Sequence, residues 1–548
     1  MKKLLLSLGV LCLLFNLSFA QEDMQEVWRT DIDHKFTATG FSHPKGYCYS
    51  TDDKKITVVS NSDGKIIWTG VFKEIVPNLR KIDEIIPMWD AECLFVFDRK
   101  LGKDVLAVLD VKTGKKLWES SLYQGLTEEH IVYIRELGAF AITLKESLVM
   151  VNARTGEELW ETSIFKGIVG AYLYMEDGHI IMLNYKPTAL GTLFAGLKNQ
   201  IVKINAKNGD IVWDQNYLGF MEKEVFTRNP VVDLDVVEGK VVLLLNGIQI
   251  YDYNTGVINW SAAYDQTPEV VKAPVGAVRF GVYGAVAKPI IDGKDVYVLD
   301  MTSKKSQYVK KYDLNSGKLL WTSPEIKGAK AIPGMYMVDD KIVLQIGGAV
   351  EAQAYIRTKV TNTDGSWYYD YEWKIWYPNV KPTGVQCFSA KDGSSIWDSE
   401  RFKKGITNMF PFQQSVIVCS GKELYSLALA DGKENYGVAL SADGIGVAEK
   451  ILDYKDKVLI VGSKGVSSHA KDNGKYIASS KYKTSIFGGE YGNTIKLETA
   501  AKDFATFNKE TLTHLRYNAR NGSTSYLSHD GLYIILFEKK DVVRLKAL

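Results

Sequence analysis

A glycine followed four residues later by a tryptophan recurs along this 548-residue chain, each time just after a strand-like segment. The pairs are Gly64 and Trp68, Gly114 and Trp118, Gly156 and Trp160, Gly209 and Trp213, Gly256 and Trp260, Gly317 and Trp321, and Gly393 and Trp397. With 46 glycines and 12 tryptophans in the chain, chance supplies about one such pair, so the seven define a repeat. Gly432 with Tyr436 is a conservative eighth, and Gly474 is a ninth turn that has lost its aromatic. Thr113, Thr155, Asn208, Thr255, Ser316 and Asp392 precede their glycines, and Asp110, Asn152, Asn205, Asp252, Asp313 and Ser389 stand four before. Such side chains cap turns by accepting nearby backbone N–H groups, and glycine supplies the positive φ that ends them.

One unit is legible throughout. Residues 231–237 and 240–245 are β-branched strands about the Glu238-Gly239 turn, and Asn246-Gly247 is a strong hairpin signal. Residues 248–252 form a third strand, Asn254-Thr255-Gly256 the next turn, and 257–262 a fourth strand carrying Trp260. Four antiparallel strands in about 35 residues, repeated along the chain, predict an all-β propeller of four-stranded blades. A sandwich has no reason to repeat one aromatic at one turn offset, and a solenoid needs capping units at its ends. At the N-terminal end, residues 26–30 read as an outermost strand with Trp28, and near the other end 531–537 and 541–545 read as a second and third strand. Joined, they complete one blade from both ends of the chain, which closes the ring and satisfies otherwise open strand edges.

The run Leu109-Asp110-Val111-Lys112-Thr113-Gly114-Lys115-Lys116-Leu117-Trp118 resembles the blade-ending pattern of the pyrroloquinoline-quinone-type (PQQ-like) propeller repeat. The resemblance covers nearly the whole mature chain and implies eight blades, whereas the repeat count here allows nine or ten. It also implies that Trp68, Trp118, Trp160, Trp213, Trp260, Trp321 and Trp397 dock between neighbouring blades, a structural role. Two classes share this repeat: quinone-dependent dehydrogenases, and non-catalytic propellers such as the scaffold of the bacterial outer-membrane assembly machinery.

Lys2 and Lys3, the apolar run 4–15 and Ser18-Phe19-Ala20 form a three-part secretory signal, which predicts cleavage after Ala20, a mature chain from Gln21, and a periplasmic or secreted protein. No later segment approaches a membrane span. Residues 21–548 are read as one propeller domain with insertions near 185–200 and 349–384. Without the two signal lysines, basic and acidic residues balance at 65 each, which argues against nucleic acid as a partner. The mature chain keeps Cys48, Cys93, Cys387 and Cys419, for which two bridges and buried free thiols are both open readings.

Catalytic signatures are missing from the sequence. The dehydrogenases of the resembling family bear adjacent cysteines over their cofactor, and here no two cysteines are adjacent. The histidines at 34, 43, 130, 179, 469, 514 and 529 are scattered, and neither Cys-x-x-Cys nor Gly-x-Ser-x-Gly occurs. Gly444-Ile445-Gly446 lacks the third glycine of a dinucleotide loop. No catalytic, cofactor-binding or metal residue is therefore assigned, and no cofactor is expected.

The strongest irregularity lies at 349–384, where 353–361 reads as a strand, Asn362-Thr363-Asp364-Gly365 as a turn, and 367–377 as a second strand. Its period of two places Trp367, Tyr369, Tyr371, Trp373, Ile375 and Tyr377 on one face and Tyr368, Asp370, Glu372, Lys374 and Trp376 on the other. Two readings stay open: a hairpin folded onto its own propeller, burying the stripe, or an exposed recognition element. Trp367, Tyr369, Tyr371, Trp373, Trp376 and Tyr377 are the partner-binding candidates, since Trp and Tyr dominate binding hot spots and stack on sugars. The apolar loop 187–197 is a second candidate patch. The expectation is an exported, non-enzymatic scaffold that binds another protein of a Gram-negative envelope, with outer-membrane protein assembly as the setting implied by the resemblance. A PQQ-dependent dehydrogenase and a glycan-binding propeller are the alternatives.

Overall fold

The computed structural model describes residues 22–548 except 101, 186–197, 220, 224, 226–229, 263–269, 302–305, 327, 362–364, 400 and 401, with backbone alone for 223, 230 and 370–373. The signal segment, its cleavage site, the 187–197 loop and most of the 362–365 turn lie outside the described residues. The chain falls into two compact units, one of residues up to Phe72, Leu440–Ala470 and Lys475–Leu548, the other of Lys73–Ala439 and Lys471–Gly474. Both are all-β, and the one α-helix among the described residues is the single turn Phe72–Ile75.

The building block is a four-stranded antiparallel meander. In the 233–262 region its strands are Asp233–Val237, Lys240–Leu244, Ile248–Asp252 and Ile258–Ala262, within two residues of the sequence expectation. Inner strands such as Cys93–Asp98 and Ser415–Ser420 are buried along their whole length, because neighbouring sheets cover both faces. The outermost strand instead alternates, as in Glu158–Thr162, where Trp160 and Thr162 are buried between exposed neighbours.

Among the described residues the unit from Lys73 holds seven such sheets, and the other unit holds four, one of them widened to five strands by Glu22–Asp23. These eleven sheets exceed the eight implied by the family resemblance and the nine or ten allowed by the repeat count. The sheet that escaped the count consists of Ile486–Tyr491, Thr494–Glu498, Phe504–Asn508 and His514–Tyr517. Its turn closes like the others, with Leu512 N–H donating to Asn508 O at 2.8 Å and Asn508 N–H to Thr513 O at 2.9 Å. Leu512 takes the glycine's place at φ +58, and because no bulge follows, Leu515, paired with Thr506, stands at the ring's register with Arg516 next to it. With glycine and ring both replaced, only the capping residues Asn508 and Thr511, which close the turn as Asp110 and Thr113 do, remained as a sequence signal.

The two ends of the chain share a sheet as expected. Glu26–Asp31 pairs antiparallel with Asp541–Lys546, itself paired with Tyr533–Glu538. Arg29 clamps this pairing through Asp541 at 2.8 Å.

The repeat turn explains its own sequence. Asp110 Oδ1 accepts the N–H groups of Lys112 and Thr113 at 3.0 and 2.9 Å, and Gly114 N–H donates to Asp110 O at 2.9 Å with φ +70. A one-residue bulge follows, so that Lys116 pairs with Leu109 but Trp118 with Val108. An extra residue re-aims the side chains beyond it, which here turns the indole toward the next sheet.

Candidate interaction surface

Six of the repeat tryptophans, Trp118, Trp160, Trp213, Trp260, Trp321 and Trp397, reach a neighbouring sheet within the unit from Lys73. Within the unit from Lys73, the Trp118 ring lies against Gly156 and the Trp160 ring against Gly209, so close that a Cβ on either glycine would meet ring carbons at 2.6 Å. The indole N–H groups of Trp118, Trp160, Trp213, Trp260, Trp321 and Trp397 donate to Ala153, Ala206, Tyr253, Leu314, Ala390 and Leu429, each three residues before the glycine. Tyr436 repeats the arrangement with its hydroxyl on Lys471 O at 3.0 Å, against Gly474. In the other unit Trp28 lies over Gly64, but Arg544 donates to Asn61 O at 3.0 Å and the indole N–H is buried without a partner. Trp118, Trp160, Trp213 and Trp397 are buried, and Trp68, Trp260 and Trp321 half-buried.

The aromatic insertion has a different environment. Its arms, Glu351–Thr361 and Trp367–Trp376, leave the sheet of Lys341–Ala349 and Asn379–Ser389 and pair instead with Ala277–Tyr283, making a separate three-stranded sheet. Gly347 sits at the departure point with φ +64, where a Cβ would strike the carbonyl oxygens of Pro382 and Val380. Only glycine fits so close a backbone approach. The base of the hairpin is anchored, with Ala352 and Ala354 fully buried and Phe280 stacked on Trp376 at 6.1 Å.

Toward the tip burial falls away. Trp367 is 53% exposed, Tyr368 51% and Tyr369 41%, and Ile375 and Tyr377 are exposed as well. Of the two readings of the stripe, the described side chains contradict the one that buries it. Trp376 is half-buried on the opposite face, and Tyr371 and Trp373 lie in the second arm with backbones paired to Arg357 and Tyr355.

The register also supplies what the sequence pattern missed. Trp367 pairs with Thr361 and Tyr369 with Lys359, so the first arm sets cations among the rings. Lys359 Nζ lies 4.6 Å from the Trp367 ring centre, the Arg357 guanidinium 4.5 Å from Tyr369, and Arg279 of the flanking strand 5.8 Å from Tyr355. Attraction between cation and ring face holds these long side chains over the stripe. The exposed face is therefore both aromatic and basic. Arg279 lies more than seventy residues from the stripe in sequence, and only strand pairing brings it there.

Elsewhere the ionisable groups serve the fold. Cys48, Cys93, Cys387 and Cys419 are free and buried, and burial pushes the Cys93, Cys387 and Cys419 thiols up to about 12, which keeps them protonated and unreactive. Among the described residues no group of three or more His, Cys, Asp or Glu could hold a metal ion. No helix among them is long and apolar enough to cross a membrane.

Repeated four-stranded sheets, a shared turn and a ring docked on the next glycine define a repeat protein of the propeller-blade type. The model of the PQQ-like family described as Outer membrane protein assembly factor BamB matches residues 17–118 and 102–350, and the chain belongs to that family. It is similar to the crystal structure of BamB from Moraxella catarrhalis, with 12% identity over 71% of this chain and 94% of that one and a TM-score of 0.29. The crystal structure of the computationally designed Ika8 protein gives 12% identity, 72% and 96% coverage and the same TM-score of 0.29. No curated protein matches the chain.

Proposed function

We propose that this chain is an exported, non-enzymatic propeller scaffold of a Gram-negative cell envelope, periplasmic or secreted, which binds another envelope protein through its projecting hairpin in the course of outer-membrane protein assembly. The observation that carries the reading is the exposed stripe of Trp367 and Tyr369 with Arg357 and Lys359 laid over it, on an arm anchored by buried residues. Solvated rings held by a rigid base lose little conformational freedom when a partner covers them, which is how aromatic hot spots work. Family membership supports the setting, and the signal-like N-terminal segment supports export. The reading assigns no cofactor and no reaction.

The test is capture of envelope proteins on purified wild type and on Trp367→Ala/Tyr369→Ala, with a glycan array in parallel. A specific envelope protein retained by the wild type and lost from the folded variant supports the reading. An unchanged set of captured proteins removes the hairpin from it, and glycan binding without a protein partner replaces it with sugar recognition. Stoichiometric binding of pyrroloquinoline quinone with Ca²⁺ would overturn the non-enzymatic assignment.

A further inference from the structure

One junction between the described sheets replaces the repeat's ring with a small side chain and its glycine with a large one. Where the outer strand Tyr476–Lys481 meets the 508–513 turn of the next sheet, within one unit, the ring position is Ala478 and the glycine position is Leu512. A cavity of about 520 Å³ opens there, lined by Ala478, Ser480, Leu512, Thr513 and His514 together with the charged residues Glu22 and Lys481. That volume lies in the range of ligand pockets, roughly 300–1,000 Å³. Leu512 is buried and forms an apolar floor with Ala478 beside it. His514 is the one ring of the lining, held parallel to Phe507 at 5.0 Å and edge-on to Tyr482 at 6.2 Å. Ser480 Oγ and His514 Nδ1 share a hydrogen bond of 2.7 Å.

We propose that this cavity is a binding site for a flat, uncharged aromatic ring of indole or phenol size, brought by a partner's side chain or by a free small molecule. The chain itself states the chemistry of the slot, because the equivalent positions of the other junctions hold Trp118, Trp160, Trp213 or Tyr436. Leu512 occupies the innermost space that glycine leaves to those rings, so an incoming ring lies farther out, on Leu512 and Ala478 and against His514. Burial, with Arg516 nearby, holds the His514 imidazole below its ordinary value, so at neutral pH the wall presents an uncharged ring. The His514 ring above the floor of Leu512 and Ala478 offers a stacking surface, and the two charged residues of the lining, Glu22 and Lys481, are of opposite sign. The site is separate from the hairpin and stands or falls independently of the scaffold reading.

The test is saturation-transfer NMR of the whole protein with indole and with an uncharged, extended pentapeptide carrying one central tryptophan. The wild type is expected to bind at least one of them. Ala478→Trp/Leu512→Gly restores the repeat's own pair, and with the slot refilled the affinity should fall by about tenfold or more. Ala478→Leu fills the slot without touching the turn and serves the same purpose if the double variant does not fold. Preference for the peptide over indole points to a partner's side chain, and the reverse to a small molecule. Absence of transfer to both probes, or equal binding by a folded, refilled variant, overturns the proposal.

Discussion

The junctions between Trp118 and Tyr436 and the junction at Ala478 solve one problem with different chemistry. In the first group a glycine gives up its side chain so that an indole can lie on the backbone and donate to a carbonyl. At Ala478 the ring is gone, Leu512 fills the space from the opposite side, and charge replaces the lost grip. Glu510, in the turn, accepts from Lys455 at 2.6 Å, Lys457 at 3.2 Å and Tyr454 at 3.1 Å, all from the preceding sheet. The turn itself survives, including the positive φ that Leu512 adopts at a steric cost, but the bulge that follows the other turns is missing. The meander and its turn are thus the invariant of this fold, and the seal between sheets is exchangeable.

The largest expected effect that tests this contrast is Trp160→Ala, which should cost about 3–5 kcal/mol in denaturant unfolding because it empties a well-packed slot. A loss below about 1 kcal/mol would remove the indoles from the load the comparison gives them. Gly209→Ala comes next, because its new Cβ would meet the Trp160 ring at φ +76. A loss of about 2–4 kcal/mol is expected from crowding and left-handed strain together. Tolerance of alanine there would show that the ring can move aside.

Leu512→Gly should destabilise less, by about 1–3 kcal/mol, since relief of backbone strain offsets part of the lost buried side chain. A gain in stability would mean that Leu512 does not fill the vacated space. The smallest effect concerns acid. Lys455, with Lys457 and Tyr454, holds the Glu510 carboxyl down at about 2. The folded value lies below the unfolded one of about 4.3, so the clamp contributes fully above that pH and is lost as pH falls toward the folded value. Glu510→Gln should therefore melt lower than wild type at neutral pH and converge with it across that acid window. Parallel melting profiles from pH 7 to acid would dissolve the clamp.

What was legible in the chain follows from locality. The turns, the four strands of 233–262 and the arms of the hairpin depend on neighbours in sequence, on period two and on residues that accept turn geometry, whereas the sheet shared by both chain ends was legible because each end carries an incomplete set of strands. The sheet of 486–517 was missed because Leu512 and Leu515 stand where the glycine and the ring would be, leaving Asn508 and Thr511 alone to mark the turn. Cys48, Cys93, Cys387 and Cys419 gave no pairing signal, and burial of each thiol in its own sheet decides the matter.

By itself the sequence determined that this protein is a repeat of four-stranded units bound by rings on glycines, since backbone geometry at each turn is a local property. Only the tertiary structure decided that the hairpin leaves its parent sheet to pair with Ala277–Tyr283, that Arg279, Arg357 and Lys359 join the aromatic stripe, and that Ala478 faces Leu512 across a cavity. Each of these depends on strand register or on packing between segments far apart in the chain, where a side chain's surroundings are set by partners that no local pattern names.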